Sequence, residues 1–156
     1  MMNILLLVFL FYHACNGQCP DGWLRHVDSC YHFSHDQESY TGAQAICHEM
    51  AEGSTLVEIE TLAENSYLAH AADMRKLQYR IGLTDLAEEG IWLWSGSKEH
   101  ATYFSWGPGE PNGRNSAGDE ENCVVIETAG TWHDVICHDF RHYICELRLE
   151  NAVVVG

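Results

Sequence analysis

Two segments of the chain place their apolar residues with the period of an α-helix. In "SYTGAQAICHEM" they recur at i, i+3, i+4 and i+7, and Thr41 and Gln44 have the spacing of a capping box, so we predict an amphipathic helix there. A second capping box, from Thr61 to Glu64, opens "TLAENSYLAHAADMRK". The sequence therefore predicts two helices in the first half of the chain.

Shorter runs of alternating or β-branched residues predict strands. They are "STLVEIE", "YRIGL", "IWLW", "CVVIE" and "RHYICEL", and the opening "CPDGWLRHVDSCYHF" favours a hairpin stapled by Cys19 and Cys30. Helices followed by several short strands indicate an α+β fold. From about Thr84 to Asn122 the chain has little periodicity, yet the four tryptophans in or just after it argue against disorder: Trp92, Trp94, Trp106 and Trp132.

The N-terminus has the pattern of a secretory signal peptide. An apolar run too short to span a bilayer is followed by small residues, which predicts removal of residues 1–17, a domain over 18–148 and a tail over 149–156. No later segment is long and apolar enough for a membrane anchor, so we expect secretion. Cleavage removes Cys15 and leaves six cysteines, which predict three disulfides without fixing their pairing.

The formal charge of −15 at pH 7 limits the partners of this protein. So acidic a surface argues against nucleic acid and against anionic membranes. Acidic excess is typical of a soluble protein, and it is also what clustered ligands for Ca²⁺ would produce.

An ordered set of short motifs resembles a known family. From Cys19 to Glu146 the chain is similar to a long-form C-type lectin domain, and among its subgroups to small secreted invertebrate lectins such as the perlucin-like molluscan ones. The motifs are "RIGL" at 80–83 (with Arg80 in place of a Trp), "GPGEPN" at 107–112, "ENC" at 121–123, "WHD" at 132–134 and "YICE" at 143–146. The resemblance implies the C-type lectin fold, with two helices, short antiparallel sheets, a long calcium-binding loop region and the disulfides Cys19–Cys30, Cys47–Cys145 and Cys123–Cys137.

The resemblance also implies a Ca²⁺ site that binds sugar. Each of two vicinal hydroxyls is expected to meet an acid and an amide, Glu110 with Asn112 and Glu121 with residue 133, beside a cis Pro111. Acid before amide in "EPN" is typical of lectins for mannose, fucose or N-acetylglucosamine, whereas "QPD" is typical of lectins for galactose. The implied calcium ligands are Glu110, Asn112, Glu121, His133 and Asp134.

A second calcium site is implied at "TDLAEEG". Its ligands would be Asp85 and Glu89, with Glu121 and Asn122 contributing from the other side. The position after "EPN" that is often acidic is Gly113 here, and Asp119 and Glu120 are candidate substitutes on the loop that follows. Alternatively, Asp85 and Glu89 form one face of an exposed turn.

His133 stands where the family has Asn. A neutral imidazole supplies an N–H for a sugar but has no oxygen for a hard cation, so we expect weaker Ca²⁺ binding than Asn would give. A zinc site built on His133, Cys137, His138 and His142 is disfavoured, because Cys137 is needed for a disulfide and the histidine spacing suits only a helix.

Two other classes of function remain as alternatives. A hydrolase is not expected, since His133 and Asp134 are strand neighbours that point to opposite faces and no nucleophile motif is present. A lectin-like domain that binds a protein or a mineral surface through charge is the stronger rival. We expect Ca²⁺ as the cofactor, mannose-type glycans on microbial or other surfaces as ligands, a role in innate recognition, and an oligomer as one route to avidity.

Overall fold

Two helices and two four-stranded antiparallel sheets make up the fold, in a computed structural model that describes residues 17–149. The sheets have the strand orders β1-β2-β8-β3 and β5-β4-β6-β7, which confirms the α+β prediction. The elements are β1 (Leu24–His26), β2 (Ser29–Phe33), α1 (Tyr40–Met50), β3 (Thr55–Leu56), α2 (Leu62–Arg75), β4 (Tyr79–Thr84), β5 (Leu93–Trp94), β6 (Cys123–Ile126), β7 (Trp132–Val135) and β8 (Ile144–Arg148).

The predicted signal peptide and nearly all of the predicted tail fall on residues 1–16 and 150–156, outside the described residues. From residue 17 to residue 149, no helix is both long and apolar enough to cross a bilayer.

Helix α1 begins earlier than the predicted capping box. Its N-cap is Ser39, whose hydroxyl accepts a hydrogen bond of 3.2 Å from the Gly42 amide. The prediction that Thr41 caps the helix is wrong because Tyr40 is buried with Ala43 and Cys47, so the packed face begins two residues earlier. Tertiary burial, rather than the local cap pattern, sets this boundary.

Helix α2 begins at the predicted cap. The Thr61 hydroxyl accepts from the Glu64 amide at 3.2 Å, and the Glu64 carboxylate accepts in turn from the Glu60 amide at 3.0 Å. Lys76 is the C-cap of the helix; it adopts the left-handed conformation with φ of 57° and donates its N–H to the carbonyls of the last turn.

Three disulfides link the elements with the pairing that the resemblance implies. Cys19–Cys30 ties the N-terminal segment to β2, and Cys123–Cys137 ties β6 to the segment after β7. Cys47–Cys145 joins α1 to β8 across 98 residues, a loop length that corresponds to about 4–5 kcal/mol in the chain-entropy account.

The long segment between β5 and β6 is held by aromatic packing and side-chain hydrogen bonds rather than by strands. Trp106 forms an isolated bridge with Trp132, and their ring centroids lie 5.9 Å apart. Buried Asn65 on α2 accepts from Trp132 Nε1 at 2.7 Å and donates to the Gly130 carbonyl at 2.8 Å. Helix α2 thereby fixes the β6–β7 hairpin, and β7 carries the "WHD" motif.

The segment "RHYICEL" is only partly a strand. Strand β8 begins at Ile144, whereas Arg141 and Tyr143 make isolated bridges with Glu38 and Arg80. The reason is that Arg141 pairs with Glu38 in the segment between β2 and α1, whereas Tyr143 pairs with Arg80 of β4, so no continuous ladder forms.

Arg80 replaces an aromatic residue of the family motif with a fully buried cation. Its side chain is 0% exposed, and Nη2 donates to the Asp139 carbonyl at 2.8 Å and to the Ile136 carbonyl at 3.4 Å. Burial, aided by the nearby Arg141 charge, lowers the pKa of Arg80 to about 10. Arg80 therefore holds the segment that follows the "WHD" strand.

Candidate functional site

The "EPN" turn is anchored by a carboxylate of strand β7. The Glu110–Pro111 peptide bond is cis, and the next two backbone amides both donate to Asp134. The Asn112 amide reaches Oδ1 at 3.0 Å and the Gly113 amide reaches Oδ2 at 2.6 Å. Asp134 is only 2% exposed, so these bonds fix the turn against the strand.

Oxygen-bearing side chains converge beside this turn. The side-chain nitrogen of Asn112, Nδ2, donates to the two carboxylate oxygens of Glu110 at 3.2 and 3.1 Å. The adjacent Asp134 carboxyl, through a shared hydrogen bond and together with burial, raises the pKa of Glu110 above its usual value. Neighbouring carboxyl groups are the kind of oxygen donor that a hard cation takes.

Glu121 completes this group from the far end of the long loop. Its backbone amide donates to the Gly113 carbonyl at 3.1 Å. Burial and then the Asp134 charge raise the pKa of the Glu121 carboxyl, while Arg141 and Asn112 act in the opposite direction. Across residues 17–149, no three His, Cys, Asp or Glu side chains are arranged to hold a metal ion by themselves. An ion here would also need amide and water oxygens, which suits Ca²⁺ with its six to eight oxygen ligands.

His133 faces a different acid from the one the resemblance implies. Its Nδ1 lies 3.9 Å from Glu110 Oε1 and 4.0 Å from Glu127 Oε1. Among the described residues, no carboxylate oxygen of Glu121 comes within 4.0 Å of a His133 ring nitrogen. The opposite edge of the ring rests on Gly107, where a Cβ atom would come within 2.8 Å of Nε2. The side chain is 38% exposed, so a ligand can reach it.

Glu127 is a neighbour of His133, beside this site, that the sequence did not reveal. It follows β6, and Val125 pairs with His133 across the β6–β7 ladder, so Glu127 is a diagonal neighbour of His133 on one face. The register of the hairpin was the signal that could have identified it, and the sequence motifs alone do not supply that register.

A second group of oxygens lies at Asp85 and Asn122. Asp85 is 3% exposed; its Oδ2 accepts from the Gly90 amide at 2.8 Å, and its Oδ1 has no partner in the described chain. The Asn122 side-chain oxygen is also buried without a partner there. Burial is the main cause that raises the pKa of Asp85. Unpaired buried oxygens are rare, so they fit a cation that both could bind.

The other implied ligands of the second site differ in their placement. A Cβ atom on Gly113 would lie 3.1 Å from Glu89 Oε1, so the Glu89 carboxylate reaches the "EPN" turn. Asp119 and Glu120 are engaged within the loop itself, with Asn115 at 3.1 Å and Arg114 at 2.9 Å.

The zinc alternative loses its ligands in this structure. Cys137 is bonded to Cys123, and His138 and His142 lie in the irregular segment between β7 and β8 rather than on a helix.

Comparison with known proteins shows the family of this chain. The family described as "Lectin C-type domain" matches residues 36–147. The chain is 36% identical to "C-type lectin domain family 17, member A" of Homo sapiens over 128 residues, which cover 82% of this chain and 32% of that protein. It is 32% identical to the "Perlucin-like protein" of Mytilus galloprovincialis over 154 residues, which cover 90% of this chain and 95% of that protein.

A solved structure agrees with these sequence relatives. The C-type carbohydrate-recognition domain of cow CD23, determined in the presence of a GlcNAc2Man3 oligosaccharide, superposes with a TM-score of 0.75 at 30% identity over 87% of this chain and all of that domain.

The chain belongs to the C-type lectin family, as its motifs predict. It carries a carbohydrate-recognition domain of a family that binds sugar, generally together with Ca²⁺, and that is not enzymatic. The aligned part spans about a third of the human relative and almost all of the mussel one.

Proposed function

We propose that this protein is a secreted lectin that binds mannose-type glycans through Ca²⁺. One observation carries the proposal: the side chains of Glu110 and Asn112 lie together on the cis Glu110–Pro111 turn, Asp134 holds that turn through two backbone amides, and the Glu121 backbone amide donates to the same turn. These are hard oxygen donors of the kind that Ca²⁺ prefers.

Each residue has a distinct role in this proposal. When bound, Ca²⁺ accepts a lone pair from each of two vicinal sugar hydroxyls. Glu110 accepts a hydrogen bond from one hydroxyl, and the side-chain amide of Asn112, already within 3.2 Å of that carboxylate, donates an N–H to the same hydroxyl. Asp134 keeps the turn in place through the Asn112 and Gly113 amides, and Glu121 supplies a further carboxylate.

Mannose-type specificity rests on the order of the acid and the amide in the turn. Glu110 precedes Asn112, the arrangement that goes with equatorial 3- and 4-hydroxyls in this family. The cow CD23 domain, a structural relative, was determined with an oligosaccharide that contains mannose and N-acetylglucosamine.

A second Ca²⁺ is proposed beside the first. Asp85 Oδ1 and the Asn122 side-chain oxygen would bind it, since both are buried without partners in the described chain, and Glu89 reaches the same region. Asp85 also lies near enough to Asp134 for their charges to interact, so the two sites would be adjacent.

Secretion is proposed from two features. The N-terminal pattern predicts a signal peptide over residues 1–17, and the domain of residues 18–148 contains three disulfides, which persist in oxidising compartments. Single lectin sites bind sugars weakly, so an oligomer or a multivalent microbial surface would supply avidity.

Retention on mannose-agarose tests this function. We expect the protein to bind in Ca²⁺, to elute with free mannose or with EDTA, and to pass through galactose-agarose. The charge of −15 favours one rival, adsorption to a cationic mineral surface. Retention that ignores mannose and EDTA but fades as salt is added would support that rival and contradict the proposal.

His133→Asn is expected to tighten Ca²⁺ binding by about tenfold, because the amide adds an oxygen where the imidazole has none. Calorimetric titration with Ca²⁺ measures the change, and His100→Asn, at an exposed histidine, is the matched control. An unchanged Ca²⁺ affinity would show that residue 133 does not face the ion.

A further inference from the structure

We propose that Glu127 and His133 form a hydroxyl-binding pair outside the calcium ligands, which we call the Glu127 subsite. It would take a hydroxyl from the sugar residue adjacent to the one held at Glu110 and Asn112. The inference rests on the proposed function and extends it from a monosaccharide site to an oligosaccharide site.

The spacing of the pair suits one hydroxyl. Glu127 Oε1 lies 4.0 Å from His133 Nδ1, too far for a direct hydrogen bond. Two hydrogen bonds of about 2.8 Å that meet at a sugar oxygen, at roughly a right angle, span such a gap. The hydroxyl would accept from Nδ1–H and donate to the carboxylate, which is the acid-plus-donor arrangement used at Glu110 and Asn112.

Both members of the pair are held in place. Gln78 Nε2 donates to both oxygens of Glu127, at 2.7 and 2.8 Å. The imidazole is held by strand β7 and by its contact with Gly107. Both side chains remain partly exposed, so the positions are fixed before a ligand arrives, which lowers the entropy cost of binding.

The hydroxyl at this pair differs from those at the proposed calcium site. The donor paired with Glu110 is the Asn112 side chain, whereas the donor nearest to Glu127 in the proposed subsite is His133. A neutral imidazole carries one N–H, and with that proton on Nδ1 it can serve only one such pair at a time. Because the ring has no oxygen to bind the metal, a hydroxyl held by His133 and Glu127 need not also bind the ion, and the proposal assigns it to the next sugar residue.

Paired calorimetric titrations test the subsite. In saturating Ca²⁺, wild type is expected to bind at least one mannobiose of a linkage panel about fivefold more tightly than methyl α-mannoside, the size of one net hydrogen bond at a solvent-accessible position. Glu127→Ala is expected to remove most of that preference and to leave the methyl α-mannoside and Ca²⁺ affinities unchanged. Glu52→Ala, at an exposed acid after α1, is the control for charge.

Each outcome decides the inference. If Glu127→Ala weakens both sugars equally or neither, the subsite is wrong while the calcium-dependent lectin stands. If wild type binds no mannoside, the proposed function fails and the subsite with it. Should Glu127→Ala fold poorly, Gln78→Ala is the second variant, because it keeps the Glu127 carboxylate but removes the hydrogen bonds that hold it. We then expect a smaller loss of disaccharide affinity and again no change in methyl α-mannoside affinity.

Discussion

Asp134→Asn is expected to lower Ca²⁺ affinity by about 100-fold and to abolish retention on mannose-agarose. The Asp134 carboxylate accepts from two backbone amides, those of Asn112 and Gly113, at 3.0 and 2.6 Å. An amide in its place has one oxygen, so its NH2 group would face an N–H donor in a nearly solvent-free position. The turn would then move away from β7, and both Glu110 and Asn112 would lose their placement.

Calorimetry with Ca²⁺ and thermal melting together separate this effect from unfolding. The unpaired donor should cost about 1–3 kcal/mol of stability, so the variant should still be folded at the temperature of the titration. Asp139→Asn, at a partly exposed acid that meets Arg141 at 3.2 Å, is the control and should bind Ca²⁺ normally. A folded Asp134→Asn that keeps wild-type affinity within about threefold would remove Asp134 from the proposed site.

The helices show which parts of the fold local sequence can predict. The cap of α2 is a contact between Thr61 and Glu64, three residues apart, and the prediction is confirmed. The start of α1 depends on Tyr40, which is buried against parts of the chain that are distant in sequence. A capping pattern contains no information about that burial, and so the predicted start came later than the real one.

The site shows a similar division. The motif residues 110, 112, 121 and 134 do come together, because the motifs label positions on known elements. Glu127 belongs to none of the motifs, and only the β6–β7 register brings it near His133. Gln78, just before β4, donates a hydrogen bond to Glu127. Arg80 shows a further limit: arginine side chains are almost never fully buried, yet that of Arg80 is, and its guanidinium donates to two backbone carbonyls.

Asp85→Asn is expected to change stability in opposite directions with and without Ca²⁺. The Asp85 carboxylate is buried, and one of its oxygens has no partner in the described chain, so its charge is destabilising while no cation is bound. In EDTA the neutral variant should therefore be at least as stable as wild type. A Ca²⁺ ion that binds only the folded state stabilises it by about 2.7 kcal/mol when the Ca²⁺ concentration is 100 times the dissociation constant, and the variant would lose this stabilisation.

Melting in EDTA and in Ca²⁺ measures the reversal, with Glu88→Asn, an exposed neighbour, as the control. Equal Ca²⁺ stabilisation of wild type and Asp85→Asn would mean that the buried oxygens of Asp85 and Asn122 bind no ion.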